Sequence, residues 1–329
     1  MIRPVPFYTQ TDIIARYPDQ QTQLIYYMYT LISNQDNRQL APTAEITGES
    51  LRKDTAHYYD ECYWDYLLTW CNRDNLAFHY GYWDQPTPYQ HHEALVNKNK
   101  VLYEAARIKS TDRVLDAGCG VGGSSIWMAK THGNQATGLT VSQQQAKYGA
   151  QHAKRQGVGE LVDFEVADFC NMPFEDESFD VVWALESSCY ALDKGVFLKE
   201  AWRVLRKGGR VVVCDGFFTR REFNAQEWQE IITCLNGWAV PNLCIKNEFS
   251  SLLAQNGFHD ITMSDLMPET MDSINYMLKV AKRLRPIQKV SEWLGLRTEG
   301  QTANYQVGIS QHYLFTKNLT AYCIFTGEK

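Results

Sequence analysis

Hydrophobic and polar positions follow two different rhythms along this chain. Between residues 113 and 217, short β-branched runs alternate with stretches of helical period. The runs are RVLDA (Arg113–Ala117), ATGLTV (Ala136–Val141), VDFEVA (Val162–Ala167), FDVVWAL (Phe179–Leu185) and RVVVCDGF (Arg210–Phe217). Between them, Ser124–Thr131, Ser142–Gln156 and Val196–Arg206 place apolar residues at helix spacing. Strand–helix alternation predicts an α/β fold, a doubly wound, mostly parallel sheet with helices on both faces. Ligands of such sheets sit beyond the carboxyl ends of the strands. Gly208-Gly209 reads as a turn feeding the fifth strand.

Outside that region the rhythm is helical. Gln20–Ser33 predicts one helix, and Asn34–Gly48 reads as a linker. The spacing of Tyr58, Tyr59, Cys62, Tyr66 and Trp70 suits a helix with one greasy face. FHYGYWD follows, and Pro86 and Pro88 close that unit. His91–Arg107 predicts another helix. Beyond Phe218, Asn224–Leu235, Ile245–Asn256, Pro268–Leu284 and Tyr305–Thr316 predict helices. FHDITMSDL (Phe258–Leu266) and LTAYCIFTGE (Leu319–Glu328) predict two more strands, bringing the sheet to seven. The expected division is an extension over 1–55, an aromatic helical cap over 56–109, a Rossmann-like core over 110–218, and lid helices with closing strands over 219–329.

Composition narrows the setting. The 329 residues carry a net charge of −6, which argues against a protein that coats nucleic acid. Nine scattered cysteines form no CxxC pair, so neither a disulfide framework nor a metal site is expected. The N-terminus lacks a basic start followed by an apolar stretch. The apolar run Leu24–Ile32 is too short to span a bilayer. A cytoplasmic protein without a transmembrane segment is expected.

The sharpest chemical signal is VLDAGCGVGGSS. Gly118, Gly120 and Gly123 form a GxGxxG between a strand and a helix, which permits a tight turn and close approach of a ligand to backbone. Dinucleotide, phosphate and nucleoside sites share that pattern. Asp116 separates them: a carboxylate two residues before the first glycine repels a pyrophosphate and favours a cationic ligand. No lysine follows the glycines, so a Walker loop is excluded. The second strand ends GLTVS, with no acid for ribose hydroxyls. The third ends in Asp168-Phe169, an acid and a ring suited to an adenine's amino group and face; Asp168 reads also as a helix cap.

VLDAGCGVGGSS, GLTVSQQQ, VADFCNMPFEDESFDVVWALES and AWRVLRKGGRVVV together resemble class I S-adenosylmethionine-dependent methyltransferases. The subgroup nearest in appearance comprises tocopherol, sterol and prenyl-diphosphate methyltransferases, and cyclopropane fatty-acid synthases and sarcosine and alkaloid N-methyltransferases share the motifs. The resemblance runs from about His57 to the C-terminus. It implies that Gly118, Cys119 and Gly120 line the methionine part of S-adenosylmethionine, with S-adenosylhomocysteine as product. Thr140, Val141 and Gln145 match the ribose-contacting GxTxSxxQ segment. Asp168 and Phe169 match the adenine-side pair, and Leu185 meets the methionine moiety. FHYGYW matches an aromatic lid, with His79 and Tyr80 as cofactor contacts; simple helix-end packing explains it equally.

The resemblance also implies a role for Glu186, just past the fourth strand. The related C-methyltransferases carry a glutamate there as base or cation stabiliser. Methylating an alkene carbon creates a cation that a carboxylate stabilises and deprotonates, and aromatic faces assist. Tyr82, Trp83, Tyr190 and Trp238 are the expected pocket aromatics. The expected reaction is therefore methyl transfer to a carbon of a small hydrophobic, isoprenoid-type acceptor. N-methylation of a small amine or alkaloid is the alternative, since an amine needs little beyond positioning. Arg220-Arg221 and the Lys279–Lys289 run are available to a diphosphate, though the second reads as a solvated helix face. Oligomerisation through the extension or the lid is the expected macromolecular contact, and no nucleic-acid partner is expected.

Overall fold

The computed structural model describes residues 48–84 and 91–329. The expected helix Gln20–Ser33, the linker before Gly48, and Pro86 and Pro88 lie outside the described residues. The elements in order are α1 (Gly48–Thr69), α2 (His91–Ala105), β1 (Arg113–Ala117), α3 (Gly123–His132), β2 (Gln135–Thr140), α4 (Gln143–Arg155), β3 (Val162–Val166) and β4 (Phe179–Leu185). They continue as α5 (Lys194–Val204), β5 (Leu205–Phe218), α6 (Ala225–Gly237), α7 (Lys246–Gln255), β6 (His259–Asp265), α8 (Met267–Trp293), α9 (Glu299–Thr316) and β7 (Thr320–Glu328).

The strands form one seven-stranded sheet in the order β3-β2-β1-β4-β5-β7-β6. β1 to β5 run parallel, and β7 enters antiparallel between β5 and β6. The central β4 is buried at all seven positions, as a strand covered on both faces must be. One face packs Phe197, Phe217, Phe249 and Phe325. The other packs Leu95, Leu102, Trp183 and Tyr322. A third cluster, including Trp228, Leu235, Val307 and Leu314, joins α6 to α9.

Local chemistry sets the helix starts. Ser142 caps α4 by accepting the Gln145 amide at 3.0 Å. Asn224–Glu227 and Thr298–Gln301 form reciprocal capping boxes on α6 and α9. Each satisfies amides that a helix start otherwise leaves open.

Three expectations change. Gly208-Gly209 is no separate turn: β5 extends back to Leu205, with a register shift between Phe179 and Val181 on β4. α8 does not stop at Leu284 but continues through Pro286 to Trp293. A proline removes one amide and crowds one carbonyl; here Gln288 is buried beyond it and bonds Glu292 at 2.8 Å, and the helix goes on. α1 starts at Gly48 and runs across residue 55 without a break. Its greasy face carries Tyr58 and Cys62, both buried, with Trp70 buried just past its end, while Trp64 and Leu68 point to solvent.

Candidate active site

A cavity of about 270 Å³ opens at the carboxyl ends of β1, β2 and β4. β1 brings Asp116 to its floor, and the glycine loop folds over it. Gly118 and Gly120 both have left-handed backbone. At Gly118 a side chain is doubly excluded, because a Cβ would lie 2.3 Å from the Ser187 Cβ. Gly123 has a different reason: a Cβ there would meet the Leu76 carbonyl oxygen at 2.6 Å. The last glycine of the motif thus lets the aromatic segment lie against the start of α3. The Gly118 and Cys119 amides both donate to the Leu139 carbonyl, at 2.9 and 3.0 Å, tying the loop to β2.

Asp116 is buried and accepts the Ser125 hydroxyl at 2.6 Å. Burial pushes its carboxyl up to about 6, against the opposing Ser125 bonds. Thr140 donates to the Gln145 side chain at 2.7 Å. Ser142 donates to Asp60 of α1 at 2.7 Å, so an acid does reach the end of β2, from a distant part of the chain. Asp168 is engaged on both oxygens. Oδ1 accepts the Cys170 amide at 2.8 Å, and Oδ2 pairs with Arg52 of α1 at 2.8 Å.

His79 also lines this cavity. It is buried, its Nδ1 bonds the Tyr80 carbonyl, and its Nε2 has no hydrogen-bond partner among the described residues. Burial pulls it down to about 4, so the ring is neutral. Residues 80–83 are held amide by amide. The Tyr80 amide donates to Glu186 Oε1 at 2.7 Å and that of Gly81 to the Ser273 hydroxyl at 2.8 Å. The Tyr82 amide donates to the Ala94 carbonyl at 2.9 Å and that of Trp83 to the Glu269 carbonyl at 2.8 Å. Four consecutive donors in a segment without regular structure are therefore satisfied from three parts of the fold, the turn after β4, α2 and α8.

Glu186 stands where β4 ends. Its backbone is left-handed, with φ 50°, a conformation uncommon for a side chain of this kind. Its amide donates to the Cys214 carbonyl of β5 at 2.8 Å, which holds the turn. Its Oε1 also accepts the Tyr322 hydroxyl. Burial drives its carboxyl up to about 7, opposed by the bonds from Tyr322 and Tyr80.

A second cavity of about 80 Å³ adjoins the first, and Glu186, Tyr59, Phe78 and Tyr190 line both. Its remaining walls are largely apolar and aromatic, with Tyr66, Phe218, Trp238 and Phe315 among them. Among the described residues, no lysine or arginine lines it. Tyr190 and Tyr59 join hydroxyls at 2.9 Å, and Tyr190 also donates to the Trp238 carbonyl at 2.9 Å.

The first cavity thus gathers His79, Asp116, Gly118, Cys119, Gly120, Thr140, Val141, Gln145, Asp168, Phe169, Leu185, Glu186 and Tyr190. Three expectations fail on position. Tyr80 faces the second cavity, with its hydroxyl on Gln311, because its amide is turned toward Glu186. Tyr82 and Trp83 line neither cavity, since the bonds to Ala94, Glu269 and Ser273 hold them against α2 and α8. Arg220 and Arg221 are exposed and paired with Glu227 and Glu248, and the Lys279–Lys289 run lies on the distal part of α8.

The site fits S-adenosylmethionine. Among the described residues, four acidic side chains (Asp116, Asp168, Glu186 and Asp193) line the cavity against one arginine, which suits a ligand bearing a sulfonium and an ammonium. The loop offers close backbone approach without a lysine for phosphate.

The methyltransferase-domain family profile matches residues 115–213, the stretch from β1 to β5. Tocopherol O-methyltransferase of Arabidopsis thaliana is 31% identical over 68% of this chain and 67% of its own length. This chain belongs to the class I S-adenosylmethionine-dependent methyltransferases. S-adenosylmethionine is the methyl donor of this methyltransferase. Norajmaline N-methyltransferase of Rauvolfia serpentina is 29% identical over 66% of the chain and 76% of its own length. The geranyl diphosphate C-methyltransferase of Streptomyces coelicolor A3(2), solved with Mg²⁺, geranyl diphosphate and S-adenosyl-L-homocysteine, superposes with a TM-score of 0.63. It is 20% identical, over 88% of this chain and 99% of that one. The names cover oxygen, nitrogen and carbon acceptors.

Several lining residues had no signal in the sequence. Leu51, Arg52 and Thr55 reach the cavity from α1, more than 50 residues before the glycine loop. Tyr322 and Gln311 reach Glu186 and Tyr80 from the far end of the chain. In β7 the run TAYCIF is buried throughout, so its pattern does not single out the tyrosine.

Proposed function

We propose that this methyltransferase methylates a small hydrophobic, uncharged acceptor at carbon, of isoprenoid type, with Glu186 as base and cation stabiliser. One observation carries the reading: Glu186 lies on the wall shared by the cofactor cavity and an aromatic chamber. The first cavity holds the donor, through Asp116, the glycine loop and the β2 end. The donor supplies an electrophilic methyl group on sulfur. The acceptor's π pair forms the new carbon–carbon bond as the methyl–sulfur pair returns to sulfur, leaving positive charge on the acceptor.

Glu186 acts at that point. Its carboxylate stabilises the charge electrostatically in a dry site and takes the proton whose loss restores the double bond. Tyr322 and the Tyr80 amide hold Oε1, which leaves Oε2 for the acceptor. The faces of Tyr66, Tyr190 and Trp238 add cation–π stabilisation. Among the described residues the chamber lining carries no lysine or arginine, which argues against a diphosphate-bearing acceptor.

A second reading is N-methylation of a small amine, favoured by Asp215, which shares the chamber wall with Glu186. Labelled methyl donor, incubated with panels of isoprenoids, amines and phenols, separates the readings. Carbon methylation lost in Glu186→Gln, with cofactor binding kept, supports the first. Turnover confined to amines or phenols, or full activity in the variant, overturns it.

A further inference from the structure

α8 extends well past the site, and its second half is exposed in an ordered way. Ile287 is 64% exposed, Trp293 84% and Leu296 70%, with Val290 and Leu294 also open to solvent. On a helix, positions 287, 290 and 294 fall on one side with 293 adjoining. The opposite side, through Ala281 and Gln288, is buried. Solvent-facing apolar side chains on one short segment are uncommon unless something covers them.

The charge around this surface is one-sided. Lys279, Lys282, Arg283 and Lys289 are exposed on the same arc or beside it, and Arg285 is exposed nearer the buried side. The acid on the segment, Glu292, is engaged by Gln288. A basic collar of this kind stands out on a chain of net charge −6. Arg297 pairs through both nitrogens with Asp65 of α1, at 2.7 Å each, so the end of α8 is fastened to a helix that lines the cofactor cavity. Beside Asp65, Trp64 and Leu68 are exposed as well.

We propose that this end of α8 docks on a lipid surface bearing anionic headgroups. The chemistry selects that occupant. A tryptophan and aliphatic side chains enter the headgroup–acyl boundary while lysine and arginine stay with the anionic layer. A second copy meeting this face across a two-fold axis would set the basic collar against itself. Nucleic acid would satisfy the charge and leave the apolar tip in water. No helix among the described residues is long and apolar enough to cross a membrane, so the contact is with the surface.

Flotation of the full chain with vesicles tests this, using phosphatidylcholine alone and phosphatidylcholine doped with phosphatidylserine. Binding is expected on the doped vesicles, weakening as salt rises. Trp293→Ser with Leu296→Ser should abolish it. Lys282→Glu with Arg283→Glu should reduce partitioning by at least about 30-fold, at roughly fivefold per basic side chain. Calorimetry with S-adenosylhomocysteine confirms that each variant is folded. Absence of binding to doped vesicles, equal binding to undoped ones, or unchanged binding in both variants overturns the proposal. So does a concentration-dependent dimer in light scattering that Trp293→Ser dissolves.

Discussion

The Tyr322 hydroxyl donates to Glu186 Oε1 at 2.5 Å. The bond joins the antiparallel β7 to the turn after β4, and it sets what the carboxyl can do. Burial raises the carboxyl to about 7, and this donor is the largest influence holding it down. As the proposed base, Glu186 must be ionised to take a proton, so kcat is expected to rise with pH through about 7. Tyr322→Phe removes a bond to the charged form, and the rise should move to higher pH. Glu186→Gln should lose about 100- to 10,000-fold in kcat, the usual worth of a positioned base, and lack that pH limb. Steady-state kcat across pH for the three proteins checks each point.

The same group predicts how stability depends on pH. Its folded-state pKa is about 7 against an ordinary 4.5. Between those values the folded protein keeps a proton that the unfolded chain has lost, so stability falls as pH rises. The contribution is fully present below about 4.5 and gone above about 7, and it amounts to roughly 3 kcal/mol. Urea unfolding of the cofactor-free protein at several pH values, compared with Glu186→Gln, should show the difference between the two changing by about that much across the window.

The proposed donor role of Asp116 predicts a pH dependence of its own. Burial lifts its carboxyl to about 6, and only the ionised form attracts a cationic ligand. Affinity for S-adenosylmethionine should therefore fall as pH drops through about 6, and binding should release a proton below it. Calorimetry in buffers of different ionisation enthalpy reads that proton directly. Asp116→Asn should weaken binding and remove the pH dependence.

Gly118 is the least replaceable glycine of the loop. Gly118→Ala combines a left-handed backbone with a Cβ 2.3 Å from the Ser187 Cβ. A cost of at least about 2 kcal/mol is expected from strain and overpacking together, along with loss of cofactor binding. At Gly120 the nearest atom to a Cβ is the Gln145 side-chain nitrogen at 3.8 Å, so Gly120→Ala should cost only the backbone strain, roughly 1 kcal/mol. Melting temperatures and calorimetry of the two variants rank them.

Much of the fold was legible where its causes are local. β1 and β4 fall where the β-branched runs lie, because a strand covered on both faces needs apolar residues at nearly every position. The glycine loop was legible for a similar reason: four glycines and an aspartate within eight residues act through backbone shape and one charge. Tyr82 and Trp83 were misplaced because aromatic content says nothing about direction. Their amides are claimed by Ala94 and Glu269, which turns both toward α2 and α8. Arg52 and Asp60 on α1 were invisible, since their partners Asp168 and Ser142 lie 116 and 82 residues further along.

The amino-acid sequence by itself determined the doubly wound sheet, the glycine loop with Asp116, and an acid at the end of β4. Those depend on periodicity and on neighbours within a turn or two. Tertiary structure alone decided that Glu186 stands between two cavities, that Tyr322 and the Tyr80 amide share its Oε1, and that α1 lines the first cavity. Each of these is a contact between segments more than 100 residues apart, or between elements whose approach depends on how every other side chain packs. Hydrogen bonds and burial at such contacts carry no local signature; here burial raises the Glu186 carboxyl to about 7 while the bonds from Tyr322 and Tyr80 hold it down.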